Sequence, residues 1–219
     1  MRGRLERDRP VDTPPAAPPV DSDFIAYHTG APPRIDGRIR AAEWRSSSTY
    51  TLELVNDIGE TTTAKWRFMS DARYLYVGIE TRTSAHWDSV AGMAFDGDND
   101  NSPSGRRRHP HQDFSVAQAS PKGWTQHTSY VVIDANGSGT HVPPPNDLAR
   151  ASIGSSDVSY EFRIPISSFR STTHVVAIRP TVYQGGLGAS RYVFFYPAQR
   201  SVNQPTWKNV ASWPRLRIQ

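Results

Sequence analysis

The sequence predicts an all-β fold, an antiparallel β-sandwich preceded by an extended N-terminal arm, and three observations predict it. Short runs rich in β-branched and aromatic residues alternate apolar with polar positions, as half-buried strands do. Turn signals built on Gly, Pro and Asn separate these runs at short intervals. The composition agrees: 18 Pro and 15 Gly stand beside 11% aromatic residues in a chain of 219, a mix that favours strands and turns over helices. That length is enough to bury a real core as one all-β domain.

Taken in order, residues 1–23 form the arm. It carries Arg2, Arg4, Arg7 and Arg9 against Glu6 and Asp8, then Pro14, Pro15, Pro18 and Pro19 around two alanines. With almost nothing apolar to bury, such a segment is extended rather than packed on itself. Residues 24–219 read as one domain. Strands are predicted at 24–28, 50–55, 64–68, 74–81, 89–95, 113–119, 124–134, 148–153, 159–164, 175–183 and 191–196, with a closing strand at 216–218. Residues 64–68 (Ala-Lys-Trp-Arg-Phe) show the alternation plainly. In the run that follows, Leu75, Val77 and Ile79 share one face. Pro121-Lys122-Gly123, Asn136-Gly137, Pro143-Pro144-Pro145 and Gly185-Gly186 punctuate the later strands, and residues 167–170 suit one helical turn. No repeat of 20–50 residues is evident.

Several function classes fall away on composition. The chain has no cysteine, which removes disulfides, thiolate zinc sites and a cysteine nucleophile. Its net charge is +4, half of that excess sits in the arm, and no nucleic-acid recognition motif accompanies it. No apolar run approaches the ~20 residues that span a bilayer, so membrane contact is at most peripheral, and no signal peptide is visible. There is no nucleophile elbow, phosphate-binding glycine loop or metalloprotease helix. A glycosidase needs two facing carboxylates, and the one dense carboxylate cluster has another use. Asn136-Gly137-Ser138 fits a glycosylation sequon, as would many turns of this composition.

That cluster is Asp96-Gly97-Asp98-Asn99-Asp100. Carboxylates at every second position suit a hard cation such as calcium, which takes several oxygen ligands. It is not an EF-hand: Asn101 stands where the loop's glycine belongs, and Arg107 where its bidentate glutamate belongs. The competing reading is neutralisation by Arg106-Arg107-Arg108. His109 and His111 flank Pro110 beside Asp113; alternate residues of an extended strand face one way, so two imidazoles there suit a transition metal, and solvated loop histidines are the other reading.

The order of the pieces resembles the family 9 carbohydrate-binding modules and their DOMON-like relatives, sandwiches of immunoglobulin-like or jelly-roll layering. The resemblance is carried by Pro33-Arg34-Ile35-Asp36-Gly37, Glu43-Trp44, Ala64-Lys65-Trp66 and Asp71-Ala72-Arg73-Tyr74-Leu75-Tyr76-Val77. It continues through Trp87-Asp88-Ser89-Val90, the acidic loop, Gln112-Asp113-Phe114, Tyr160-Glu161-Phe162-Arg163-Ile164-Pro165, and Trp207 before the closing strand. In sugar-binding members two tryptophans clamp a terminal sugar; Trp87 and Trp207 fall at the similar positions. The resemblance also implies structural calcium at Asp96, Asp98, Asp100 and Asp113, with Glu43 approaching from the segment around Trp44. DOMON relatives include haem carriers, for which Met69 and Met93 are the candidate axial ligands, and core packing is the commoner use of such methionines. The chain departs from the family's polar contacts. Ser89-Val90-Ala91-Gly92 stands where a glutamate follows the first tryptophan, and Ser115 and Ala117 where an arginine and an asparagine belong. A stacked sugar without those partners loses hydrogen bonds that water had supplied.

Two non-catalytic functions therefore compete. One is an accessory or scaffold subunit docking on protein subunits of a larger extracytoplasmic or membrane-associated assembly, periplasmic or at the cell surface, with the arm laid across a partner. The other is glycan binding at Trp87 and Trp207.

Overall fold

Thirteen strands and two single 3₁₀ turns make up the regular structure of the described residues. The computed structural model describes residues 23–56, 58–82, 90–97, 99, 101, 114–119, 129–133, 139–142, 149–153, 157–169, 171, 173–183, 193–196 and 210–219. The strands are β1 (Phe24–His28), β2 (Ser48–Val55), β3 (Thr61–Ser70), β4 (Tyr74–Arg82), β5 (Val90–Asp96), β6 (Phe114–Ala119) and β7 (Ser129–Ile133). They continue as β8 (Gly139–Val142), β9 (Ala149–Ile153), β10 (Asp157–Pro165), β11 (Val175–Tyr183), β12 (Val193–Phe195) and β13 (Arg215–Ile218). The 3₁₀ turns are Ile166–Ser168 and Val210–Ser212.

Hydrogen bonding links all thirteen strands into one curled sheet. One layer runs β8-β7-β6-β5-β11 and the other β2-β3-β4-β10-β9. Two bridges join them. Strand β12 pairs with β11 over Thr181–Tyr183 and touches β2 through Phe195 and Val55. At the other end of β11, Val175–Ala177 pair with β13, which pairs with β1, and β1 runs on to meet β3 at Met69 and Ser70. The expected sandwich is thus present, with one correction to its antiparallel character: β1 is parallel to both β13 and β3. A short turn forces neighbouring strands antiparallel, whereas β1 meets partners far away in sequence and nothing local sets its direction.

The core lies between the layers. From one side come Trp66 and Phe68 of β3, Leu75, Val77 and Ile79 of β4, and Tyr160 and Phe162 of β10, all fully buried. Met93 and Phe95 of β5 and Val176 and Ile178 of β11 meet them from the other. Period-two alternation delivers this, because each strand's inward set is every second residue. The outward set of β3 stays polar: Arg67 Nη2 sits 3.0 Å from Glu80 Oε2 across the strand pair. Strand β8 was not anticipated; four residues ending just before three prolines give too short a pattern to read. The predicted helical turn at 167–170 is a 3₁₀ turn beginning one residue earlier, at Ile166.

Candidate functional site

The segment from Pro33 to Trp44 crosses the outside of the β3-β4-β10 layer. Trp44 is buried there with Met69 and Tyr76, and Ile35, Ile39 and Tyr74 pack at its edge. What fastens it is Glu161, an outward-facing residue of β10 that is completely buried under the segment. One carboxylate oxygen accepts the backbone N–H groups of Asp36 (3.0 Å), Gly37 (2.7 Å) and Arg38 (3.1 Å). The other accepts the Trp44 indole N–H at 3.0 Å. Burial pushes the Glu161 carboxyl above the ordinary glutamate range, against the pull of the Trp44, Asp36 and Gly37 donors. Two glycines make the close approach feasible. Gly37 has φ +85°, and Gly78 of β4 leaves room for the Trp44 ring, which a Cβ would meet at 3.1 Å.

The β3–β4 turn beside it is built on Asp71. Its Oδ1 accepts from the N–H of Arg73 (2.7 Å) and Tyr74 (2.8 Å), and its Oδ2 from the Tyr76 hydroxyl (2.6 Å). Burial pushes this carboxyl up, but those donors and the Arg73 charge outweigh it and hold it below the ordinary aspartate range. The same contact raises the Tyr76 hydroxyl, after burial itself, far above the usual tyrosine value.

The acidic loop begins at the end of β5. Asp96 is fully buried, and its Oδ2 accepts the N–H of Asn101 at 3.0 Å. Asn99 and Asn101 adopt left-handed backbone, φ 58° and 66°, which curls the loop back toward the strand end. Asn tolerates that region better than most residues. Asn99 Oδ1 is buried and accepts no hydrogen bond among the described residues, so an oxygen of the kind calcium takes lies in the same loop as Asp96. Glu43 lies elsewhere, on the outer face of the other layer, paired with Arg40 at 3.4 Å. Asp98, Asp100 and Asp113 lie outside the described residues, as do Arg106–Arg108, His109 and His111. Met69 and Met93 are both fully buried but in different apolar clusters, Met69 under Trp44 and Met93 in the main core.

Trp87 and Trp207 also lie outside the described residues, together with the arm residues Arg2, Arg4, Arg7, Arg9, Pro14, Pro15, Pro18 and Pro19. What is described is the strand after Trp87. There Ala91 and Met93 are fully buried core residues, and Met93 stands opposite Ala117 in the β5–β6 pair. Three residues beyond Trp207 the chain reaches Val210, which packs with Trp213, Ala94 and Ala177 on the outside of β5 and β11. Arg179 rests near the Trp213 ring, 6.0 Å from its centre. Beside it is an open hollow of about 400 Å³ lined by Asp23, Tyr196 and residues 211–215. Sequence reasoning missed Glu161 as the fastening group, because alternation marks it only as outward-facing.

No family model and no curated protein matches the chain. Solved structures do. A family 9 carbohydrate-binding module from Caldicellulosiruptor kristjanssonii in complex with glucose is 16% identical, with 90% of this chain and 95% of that one covered at a TM-score of 0.57. In complex with cellotriose it gives a TM-score of 0.58 over 90% and 93%. A candidate carbohydrate-binding protein from Bacteroides uniformis is 10% identical, with 90% and 98% covered and a TM-score of 0.61. At such identities the likeness is one of fold. Over nine-tenths of its length, then, the chain has the fold of the family 9 carbohydrate-binding modules.

Proposed function

We propose that this chain is a non-catalytic, extracytoplasmic recognition module that binds a glycan, with Trp87 and Trp207 stacking on a sugar. What supports the reading is the fold: nearly the whole length of a module seen with glucose and with cellotriose is covered. A sugar's C–H face packs on an indole while its hydroxyls need polar partners, so the rings carry most of the contact here. The test is calorimetric titration with glucose, cellotriose and a panel of other oligosaccharides. Trp87→Ala or Trp207→Ala is expected to weaken binding by at least about tenfold, the scale of losing one aromatic platform. Unchanged affinity in both variants would remove the clamp.

A second reading is favoured by one observation. Ala91 and Met93, on the strand where the family pattern carries a glutamate, are sealed in the core and offer a sugar no hydrogen bond. Under that reading the fold serves as a docking subunit of a larger protein assembly, with the arm across its partner. Deleting residues 1–23 would then release the chain from that assembly, while no oligosaccharide in the panel binds.

A structural calcium in the acidic loop belongs to either reading, held by Asp96 with Asn99, Asp98, Asp100 and Asp113. An ion that binds only the folded chain stabilises it by mass action. Chelation should therefore lower the melting temperature and added calcium restore it; an unchanged melting temperature rules the ion out.

A further inference from the structure

Two guanidinium groups lie close to one tyrosine ring. The Cζ of Arg73 lies 5.7 Å from the centre of the Tyr74 ring and that of Arg163 lies 5.1 Å from it. A guanidinium resting on an aromatic ring uses its flat face, and its N–H edges keep the fork that matches a carboxylate or sulfate. Cationic side chains are commonly matched by a carboxylate, but the Asp71 carboxylate beside Arg73 is already engaged. Both oxygens of Asp71 are taken up by the turn, by the N–H groups of Arg73 and Tyr74 and by the Tyr76 hydroxyl. Neither Arg73 nor Arg163 forms an ion pair among the described residues, whereas on the same layer Arg67 is matched by Glu80 and Arg40 by Asp36 and Glu43.

The pair is also held in place. The Arg73 carbonyl accepts the N–H of Ile166 at 2.8 Å. Arg163 sits toward the end of β10, opposite Tyr76 of β4, and Tyr74 packs at the edge of the cluster around Trp44. Arg73 is exposed, and Tyr74 and Arg163 are half-buried, so the group can be reached from solvent. The site is an open sheet surface rather than an enclosed pocket, which suits one acidic group of a long chain better than a small free anion. A pI near 9.5 favours encounter with such a chain.

We propose that Arg73, Tyr74 and Arg163 form a binding site for the acidic groups of an anionic polysaccharide, a uronate carboxylate or a sulfate ester. The site uses neither Trp87 nor Trp207, so it goes beyond the neutral-sugar cleft and either can fail without the other.

The experiment measures binding of the full chain to polygalacturonate, to heparin and to single-stranded DNA of matched charge, with cellotriose as the neutral control. Binding to polygalacturonate alone identifies the carboxylate source, and binding to heparin alone the sulfate source. The double variant Arg73→Gln/Arg163→Gln should weaken the polysaccharide by about tenfold or more, since charge-assisted hydrogen bonds are lost. Cellotriose carries no acidic group, so its binding or failure to bind reports the Trp87–Trp207 cleft separately. Lys65→Gln/Arg82→Gln removes the same charge from the same layer and should change polysaccharide binding less than about twofold, as a delocalised charge effect would. Arg73 leaves an exposed turn, so Arg73→Gln alone still reports if the double variant does not fold, with an expected loss of about threefold. The proposal is overturned if neither polysaccharide binds, if the Lys65/Arg82 control loses as much, or if DNA binds equally tightly.

Discussion

Glu161→Ala is expected to cost about 4 kcal/mol of stability, the largest effect of any single outward-facing residue in the described structure. Four donors converge on this carboxylate, three of them backbone N–H groups and one the Trp44 indole. Removing the acceptor orphans the Gly37 N–H and the Trp44 indole, while the Asp36 N–H keeps the Arg34 carbonyl and the Arg38 N–H keeps Asp36 Oδ1; each orphaned group costs about 1–3 kcal/mol where water cannot enter. The loss would fall short of the full sum because the segment can lift and admit water. For a chain of this size it corresponds to a fall in melting temperature of roughly 10 °C. Glu161→Gln keeps the volume and one carbonyl acceptor, so it should lie between alanine and the native residue. Urea denaturation followed by tryptophan fluorescence measures both, and Trp44 lies inside the affected cluster. A loss under about 1 kcal/mol for Glu161→Ala would mean that the segment is held by its apolar contacts alone.

Gly37→Ala should cost about 3 kcal/mol, for a different physical reason. Its φ of +85° lies where side chains are strained. A Cβ there would stand 2.8 Å from the carbonyl carbon of Ala151 and 2.9 Å from its oxygen. Those are backbone atoms of β9, so the clash is not relieved by turning a side chain. Gly37 is also tied to that strand by its carbonyl, which accepts the Ser152 hydroxyl. Because Gly37 and Glu161 hold one segment, their effects should not add: the double variant should lose clearly less than the sum of the two. An additive double-mutant cycle would show two independent fastenings. The same segment packs against Tyr74, so Gly37→Ala should also weaken anionic polysaccharide at Arg73 and Arg163.

Much of the fold is legible in the residues because period two is a local signal. Ala64-Lys65-Trp66-Arg67-Phe68 announces its inward face without any partner in view, and Trp66 and Phe68 are indeed fully buried. The family resemblance read from Pro33–Gly37, Trp44, Arg73–Val77 and Tyr160–Pro165 points to the architecture that the solved neighbours share. The chemistry was less legible. Glu43 reads as a further oxygen for the acidic loop, yet the fold sets it on the outside of the other layer beside Arg40. Asp96 looks like one of three equivalent loop carboxylates, yet it is buried at the end of β5.

By itself the sequence determined which face of a strand such as β3 or β4 an amino acid occupies, since alternation is written in the chain and needs nothing distant. Only the tertiary structure decided which outward faces are covered. Glu161 and Arg163 are both outward-facing on β10, but a segment more than a hundred residues away in sequence closes over the first, while the second turns onto the Tyr74 ring. Cover depends on where distant segments come to rest, and the sum of weak contacts that places them is not encoded in any one stretch.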